Sequence, residues 1–406
     1  MFLAKIRFSE LFVNIFLVAF FVFTITTNIK VDYANQYLVL AQSFLNGKLY
    51  FPEGYYDVDL VLFNSKYYWH QGPFPAVVLM PFVYLFNLFN LTFQQGYLQF
   101  FITLGIFILC YKIARYFKYS KENSKYLAFA FCFASIYQLA AFFPVSWFFG
   151  QAITVFLLFT AIYIYLASKN YFLIGVTFSL ILLTRISAVL GLIFFVIDII
   201  FTNNFLKNKL KYLFSLFLPI GIAGLILLIY NYVRFGNFLE TGYLIYNQTL
   251  PPGNPFFSIR YFLGNLYAYF FKGLDVSFLK DRFILLGGLK LKIPYFKAAE
   301  SGTSFFIVSP IFLYLFSVNL KEKLVRLSLF TTMIILIYLL CFYYSGGVQI
   351  GPRYLLDLLP FAFLLLLQSF KKKEIPNFAK ILIILSALFN LHLFIVRVLW
   401  SSGLLV

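Results

Sequence analysis

LFVNIFLVAFFVFTITTNI, residues 11–29, runs for nineteen positions without a charged side chain. A helix rises about 1.5 Å per residue, so about 20 such residues span the hydrocarbon core of a bilayer. Lys5 and Arg7 precede the stretch and no small-residue cleavage site follows it. It therefore reads as an uncleaved signal anchor with its N-terminus in the cytoplasm. Outward from this stretch the chain keeps the same character. Of its 406 residues, 62% are hydrophobic and 11% charged, and mean hydropathy is +0.89. A soluble domain has about 25% charged residues, so this chain cannot clothe itself in water. Lipid requires every backbone polar group to be satisfied internally, which points to helices. The expectation is an all-α polytopic membrane protein, a single transmembrane domain over 1–406 with no soluble domain.

Further apolar segments lie at 73–92, 96–117, 126–143, 150–167, 171–184, 187–203, 212–231, 303–318, 327–344, 353–370 and 378–399. The basic clusters Lys112–Lys125, Lys207–Lys211, Lys321–Arg326 and Lys371–Lys373 should all be cytoplasmic. Even numbers of segments separate each cluster from the next, as that requires. The N-terminus and the first cluster, however, are separated by an odd number. The weak segment is 73–92, which carries Pro73, Pro75 and Pro81, and interior prolines break helices. It is expected to lie along the outer surface or to re-enter, leaving about 11 transmembrane helices and a C-terminus outside. Two large outer loops follow, loop one at about 30–95 and loop two at about 232–302, with the chemistry at the outer face.

The net charge of +18 would point to nucleic acid in a soluble protein. Here cytoplasmic loops account for much of it, and no folded basic domain is left to bind nucleic acid. Cys110, Cys132 and Cys341 fall inside apolar runs and read as packing residues. Two histidines, His70 and His392, make no Cys/His zinc pattern.

Asp32 sits where the first segment leaves the lipid. At 100° per residue, Tyr37, Leu40, Ala41 and Phe44 share one arc of 33–47 and Gln36, Gln42 and Ser43 the other. This is the pattern of an interfacial helix stopped at Gly47, with Asp32 either its N-cap or a general base. Asp57 and Asp59 alternate as strand residues do and are the candidate pair for a divalent metal, though such pairs are more often simply solvated. Lys66-Tyr67-Tyr68-Trp69-His70 follows, its aromatic rings suited to the interface or to stacking on sugars. Loop two opens at Asn231–Tyr243 and carries Arg260, Lys272, Lys280, Arg282, Lys290, Lys292 and Lys297, a surface for anionic head groups or a long loop free of the charge bias. Arg353 and Asp357 stand four apart and are expected to pair on one helical face. Arg185 falls between two segments that meet at the outer face.

Asp32, the polar helix Tyr37–Gly47, Lys66-Tyr67-Tyr68, Gly72-Pro73-Phe74-Pro75, Tyr232–Tyr243 and Gly351-Pro352-Arg353-Tyr354 to Pro360 occur in an order that resembles the GT-C glycosyltransferases. That superfamily includes the protein O-mannosyltransferases, the lipid A aminoarabinose transferases and their bacterial relatives. The resemblance implies a GT-C-like bundle with interfacial helices in loop one. It also implies an inverting hexosyltransferase in the cell membrane, taking sugar from a polyprenyl-phosphate donor to an acceptor hydroxyl on a glycan, lipid or protein. It assigns Asp32 as base, Arg353 to the donor phosphate with Arg185 and Lys66 behind it, and Tyr67, Tyr68, His70, Asp57 and Asp59 to substrate. Family members often carry Asp-Glu at the first site, where this chain has Asp32-Tyr33. The alternatives are a transporter or flippase, or a polymerase, for lipid-linked glycans. A transporter should show repeated halves and charges at mid-membrane, whereas this chain has no repeat and its ionisable residues gather at the outer ends.

Overall fold

The computed structural model describes residues 10–400 apart from 56, 58, 203–204, 248–254, 287–288 and 300, with the side chains of 279–293 and 398–400 also left undescribed. Lys5 and Arg7, and the side chains of Lys280, Arg282, Lys290 and Lys292, lie outside what is described. In chain order the elements begin with helices α1 (Glu10–Lys30) and α2 (Gln36–Leu45), strands β1 (Leu60–Phe63) and β2 (Lys66–Trp69), then α3 (Phe74–Leu88), α4 (Gln95–Tyr116), α5 (Lys121–Phe133) and α6 (Tyr137–Phe142). Next come α7 (Ser146–Ala167), α8 (Tyr171–Leu182), α9 (Leu192–Ile200), α10 (Leu206–Phe235), α11 (Tyr243–Asn247) and α12 (Phe262–Phe270). The hairpin β3 (Leu274–Leu286) and β4 (Leu289–Ala298) precedes α13 (Phe305–Val308), α14 (Lys323–Leu340), α15 (Leu359–Ser369) and α16 (Asn377–Phe394).

The chain is a multi-pass, all-helical membrane protein with two small hairpins. Among the described residues α1, α4, α7, α10, α14 and the stretch Asn377–Arg397 are each long and apolar enough to cross a bilayer. The shorter apolar segments are broken. Residues 126–143 divide into α5 and α6, and 303–318 into α13 and a 3-10 helix at Pro310–Ser317. Residues 353–370 divide likewise into a 3-10 turn at Arg353–Asp357 and α15. Broken helices at membrane depth are tolerated where protein or a cavity covers the freed backbone groups.

Helix packing in lipid gains little from the hydrophobic effect, so close van der Waals fit must hold the bundle. Phe supplies much of it. Phe20 meets Phe129 at 5.2 Å and Phe133 at 5.3 Å, and Phe131 meets Phe159 at 4.7 Å and Phe363 at 5.6 Å. Helix α7 is the central pillar, with 72% of its membrane window buried, while α10 has 11% buried and packs at the edge against α8.

Three expectations change here. Helix α2 begins at Gln36 with Asn35 as N-cap, so Asp32 is not the cap; its carboxylate accepts from Asn35 Nδ2 instead. Gln36 and Ser43, expected on a wet face, are buried, because α2 packs into the bundle. There Tyr37 N–H donates to Ser146 Oγ at 3.1 Å. Helix α3 runs unbroken through Pro81, with Pro75 in its first turn, where a missing N–H costs nothing.

Candidate active site

A cavity of about 400 Å³ opens at the loop end of the bundle. The starts of α7 and of the 3-10 turn after Pro352, and the ends of α8, α10 and α14, form its walls. Loop one is pressed into it. Asn64 and Ser65, both at positive φ (48° and 60°), make the two-residue turn that joins β1 to β2. The chain then lies against the end of α8, where Phe74 N–H donates to Leu183 O at 3.0 Å. Gly72 permits this approach, since a Cβ there would collide with the Leu183 carbonyl. His70 and Gln71 are thereby set beside Thr184 and Arg185.

Three arginines face the cavity, and they are committed differently. Arg185 Nε donates to both carboxylate oxygens of Asp357, at 2.8 and 2.9 Å, and Ser187 Oγ adds a third bond at 2.6 Å. Arg234 staples α10 to the end of β2. Its Nη1 donates to Trp69 O at 2.8 Å, its Nη2 to Asn231 Oδ1 at 2.9 Å, and the guanidinium lies 3.8 Å over the Tyr230 ring. Arg353 has no side-chain hydrogen bond and no ion pair among the described residues, and its Nε is buried without a partner. Only rings flank it, Phe148 at 5.3 Å and Tyr354 at 5.4 Å. The expected Arg353–Asp357 pair does not form. The segment winds as a 3-10 turn, in which residues four apart do not stack, and Asp357 turns to Arg185. Arg185 and Arg234 are held by protein acceptors, so Arg353 is the guanidinium left to answer an anion among the described residues lining the cavity.

Opposite stands a polar cluster built on Asp59, a non-glycine residue at φ 64°. Its carboxylate accepts from Trp147 Nε1 at 2.9 Å and Tyr246 OH at 3.0 Å. Its carbonyl oxygen lies 2.9 Å from His70 Nδ1. The imidazole stacks on Tyr246 (centroids 5.5 Å apart, planes 19°) and meets Tyr243 edge-on at 4.5 Å. Gly242, at φ +97°, brings loop two against it; a Cβ there would sit 3.2 Å from His70 Cβ. Burial pushes the His70 pKa down to about 4, partly opposed by the Asp59 charge, so the ring is neutral at pH 7.

Of the residues singled out in the sequence, Arg353, Arg185, His70 and Asp59 line the cavity. Asp32, Asp57, Lys66, Tyr67 and Tyr68 do not. Asp32 is exposed, Asp57 accepts from Tyr55 OH at 3.0 Å, and Lys66 lies 4.3 Å over the Tyr50 ring. Tyr68 packs on Phe235 at 5.1 Å. Asp57 and Asp59 serve separate donors, and no group of three or more His, Cys, Asp or Glu side chains forms among the described residues. Among the described residues this donor set does not fit a divalent cation. Sequence reasoning passed over Arg234, Trp147 and Tyr246. Arg234 had a signal, an ionisable residue in the last turn of a long apolar helix.

Among solved structures the chain is similar to ArnT from Cupriavidus metallidurans, determined bound to undecaprenyl phosphate, with a TM-score of 0.53 over 96% of this chain and 72% of that one. Identity is 12%, so the likeness is one of fold. The apo oligosaccharyltransferase of Archaeoglobus fulgidus gives a TM-score of 0.46 at 12% identity over 95% of this chain and 55% of that one. No protein-family model and no curated protein matches the sequence.

Proposed function

We propose that the protein is a glycosyltransferase that moves a sugar from a polyprenyl-phosphate carrier to an acceptor hydroxyl at the outer face of the membrane. The observation that carries this reading is Arg353. Arg353 is half-buried, its Nε is shut off from solvent, and its side chain has no acid partner among the described residues, an arrangement that favours an anionic ligand. A phosphate matches the planar fork of the guanidinium and can be bound through two parallel hydrogen bonds. Leu182, Leu227, Tyr338 and Leu339 give the same cavity an apolar wall, where a lipid tail would leave toward the bilayer. The solved neighbour of the same fold holds such a carrier.

In this mechanism the acceptor oxygen attacks the anomeric carbon from the side opposite the phosphate. The carbon–oxygen bond to phosphate breaks with inversion, and the departing charge is met by Arg353. Asp59 is the cavity's own carboxylate, and the acid–base work belongs to its cluster rather than to Asp32. The test is turnover of radiolabelled polyprenyl-phosphate sugars by purified protein, with release of polyprenyl phosphate as the readout. Arg353→Ala should weaken carrier binding by about 100-fold, in line with a charge-assisted bond worth about 1.5–3 kcal/mol, and Arg353→Lys should restore part of it. Unchanged carrier binding in Arg353→Ala would remove the phosphate assignment.

A further inference from the structure

The acid–base group of this site can be named from hydrogen-bond geometry, on the footing of the transferase reading above. A backbone carbonyl can only accept, so the 2.9 Å contact between His70 Nδ1 and Asp59 O requires the proton to sit on Nδ1. In a neutral ring that leaves Nε2 bare, an acceptor with no protein partner among the described residues, on a side chain that lines the cavity. The ring cannot easily turn, because Tyr246, Tyr243 and Gly242 hold it on three sides.

The carboxylates nearby are already engaged. Both Asp59 oxygens receive donors, from Trp147 and Tyr246. Asp357 is held by Arg185 and Ser187. Glu240 is spent on the backbone N–H groups of Gly242 and Leu244. Tyr243 stands between the two halves of the cavity, its ring against His70 and its phenol within electrostatic reach of Arg185 and Tyr354. A hydroxyl lying against Nε2 would thus face the space in front of the arginines.

We propose that His70 is the general base of the transfer: its Nδ1–H is fixed by the Asp59 carbonyl and its Nε2 lone pair takes the proton of the attacking hydroxyl. The O–H bond breaks toward Nε2 as the oxygen–carbon bond forms. The electron pair of the breaking carbon–oxygen bond leaves with the phosphate. The imidazolium produced is disfavoured by burial and only partly offset by the Asp59 carboxylate, so it hands its proton on to solvent. Asp59 is then a positioning residue, and Trp147 and Tyr246 hold its carboxylate in place.

His70→Asn separates the two nitrogens. An asparagine amide can still donate to Asp59 O, but it has nothing at the Nε2 position. The expected result is a fall in kcat of about 100-fold or more, as for other positioned bases, with polyprenyl phosphate affinity changed by less than about threefold. Arg353→Ala should show the opposite split. Retention of kcat in His70→Asn while wild type turns over would overturn the base assignment and leave the transferase intact. Absence of turnover in wild type would sink the transferase reading and this inference with it. A second measurement does not depend on activity. The chain has two histidines, so ¹⁵N-histidine labelling of a His392→Gln protein leaves His70 as the single ring reporting. A proton on Nδ1 and a bare Nε2 at pH 7 are expected; a protonated Nε2 would exclude His70 as base even in an active enzyme.

Discussion

The two ends of the bundle use charge in opposite ways. At the end that carries the basic clusters, lysines meet carboxylates across helices. Lys125 reaches Glu10 at 2.7 Å, Lys380 reaches Glu122 at 2.6 Å, and Lys323 reaches the buried Asp198 at 2.6 Å, with Lys169 at 3.8 Å from the same residue. Lys373 lies 5.8 Å over the rings of both Phe117 and Tyr119. These contacts tie helix ends to one another. In the cavity at the loop end the cations are arginines, and one of them, Arg353, has no acid partner among the described residues. Charge is paired between helices at one end, and at the other a guanidinium faces the cavity without an acid partner among the described residues. Arg185–Asp357 is the exception that joins the two patterns, a structural pair set inside the functional cavity.

Breaking that pair should have the largest effect. Asp357 is 1% exposed and takes three hydrogen bonds from Arg185 and Ser187. Asp357→Asn keeps the shape but leaves the Arg185 charge uncompensated, and removal of one partner of a buried pair costs about 3–5 kcal/mol. The denaturation midpoint of purified protein should fall accordingly. An unchanged midpoint would mean that Arg185 is already answered by something other than Asp357, and the contrast with Arg353 would lose its meaning.

A smaller effect sharpens the comparison through pH. The His70 pKa is lowered from 6.5 to about 4, first by burial, with Asp59 acting in the opposite sense. Between those values the unfolded chain binds a proton that the folded ring refuses. Stability is therefore fully present above pH 6.5 and is lost as pH falls toward 4, by at most about 3 kcal/mol for a shift of this size. The difference in unfolding free energy between wild type and His70→Asn, measured at pH 7 and pH 4.5, isolates this contribution. An equal pH slope in both proteins would show that the ring is not the buried neutral group described here.

Much of this was legible in the sequence because bilayer physics leaves a strong imprint. The apolar runs became helices, and Arg185 and Arg353, conspicuous as charges beside apolar segments, came together in one cavity. Partnership was harder to read. Arg353 and Asp357 sit at helical spacing, but that spacing pairs them only if the backbone is α-helical, and after Pro352 it winds as a 3-10 turn. The true partner of Asp357 is 172 residues away. Asp32 drew attention by its place at the end of α1, while Asp59 took the cavity through a turn at positive φ that no periodicity announces. The hairpin β1–β2, four residues a side, was too short to stand out from an aromatic loop.

The smallest effect belongs to the lysine end, where the comparison makes its plainest claim. Lys323→Ala removes the closer of the two partners of Asp198 and leaves Lys169 at 3.8 Å and the Tyr171 hydroxyl at 3.4 Å. Lys323 is about half exposed (48%), so solvent screens the pair. The loss of stability should be about 1 kcal/mol, the upper range for exposed pairs, because its acid is buried even though the lysine is not. Transfer should not change, since the residue lies at the opposite end of α14 from the cavity. Turnover and denaturation of the same preparation give both numbers. A rate that fell with Lys323 while stability held would carry function into the end assigned to structure, and would require the two ends to be coupled through α14 rather than divided between two tasks.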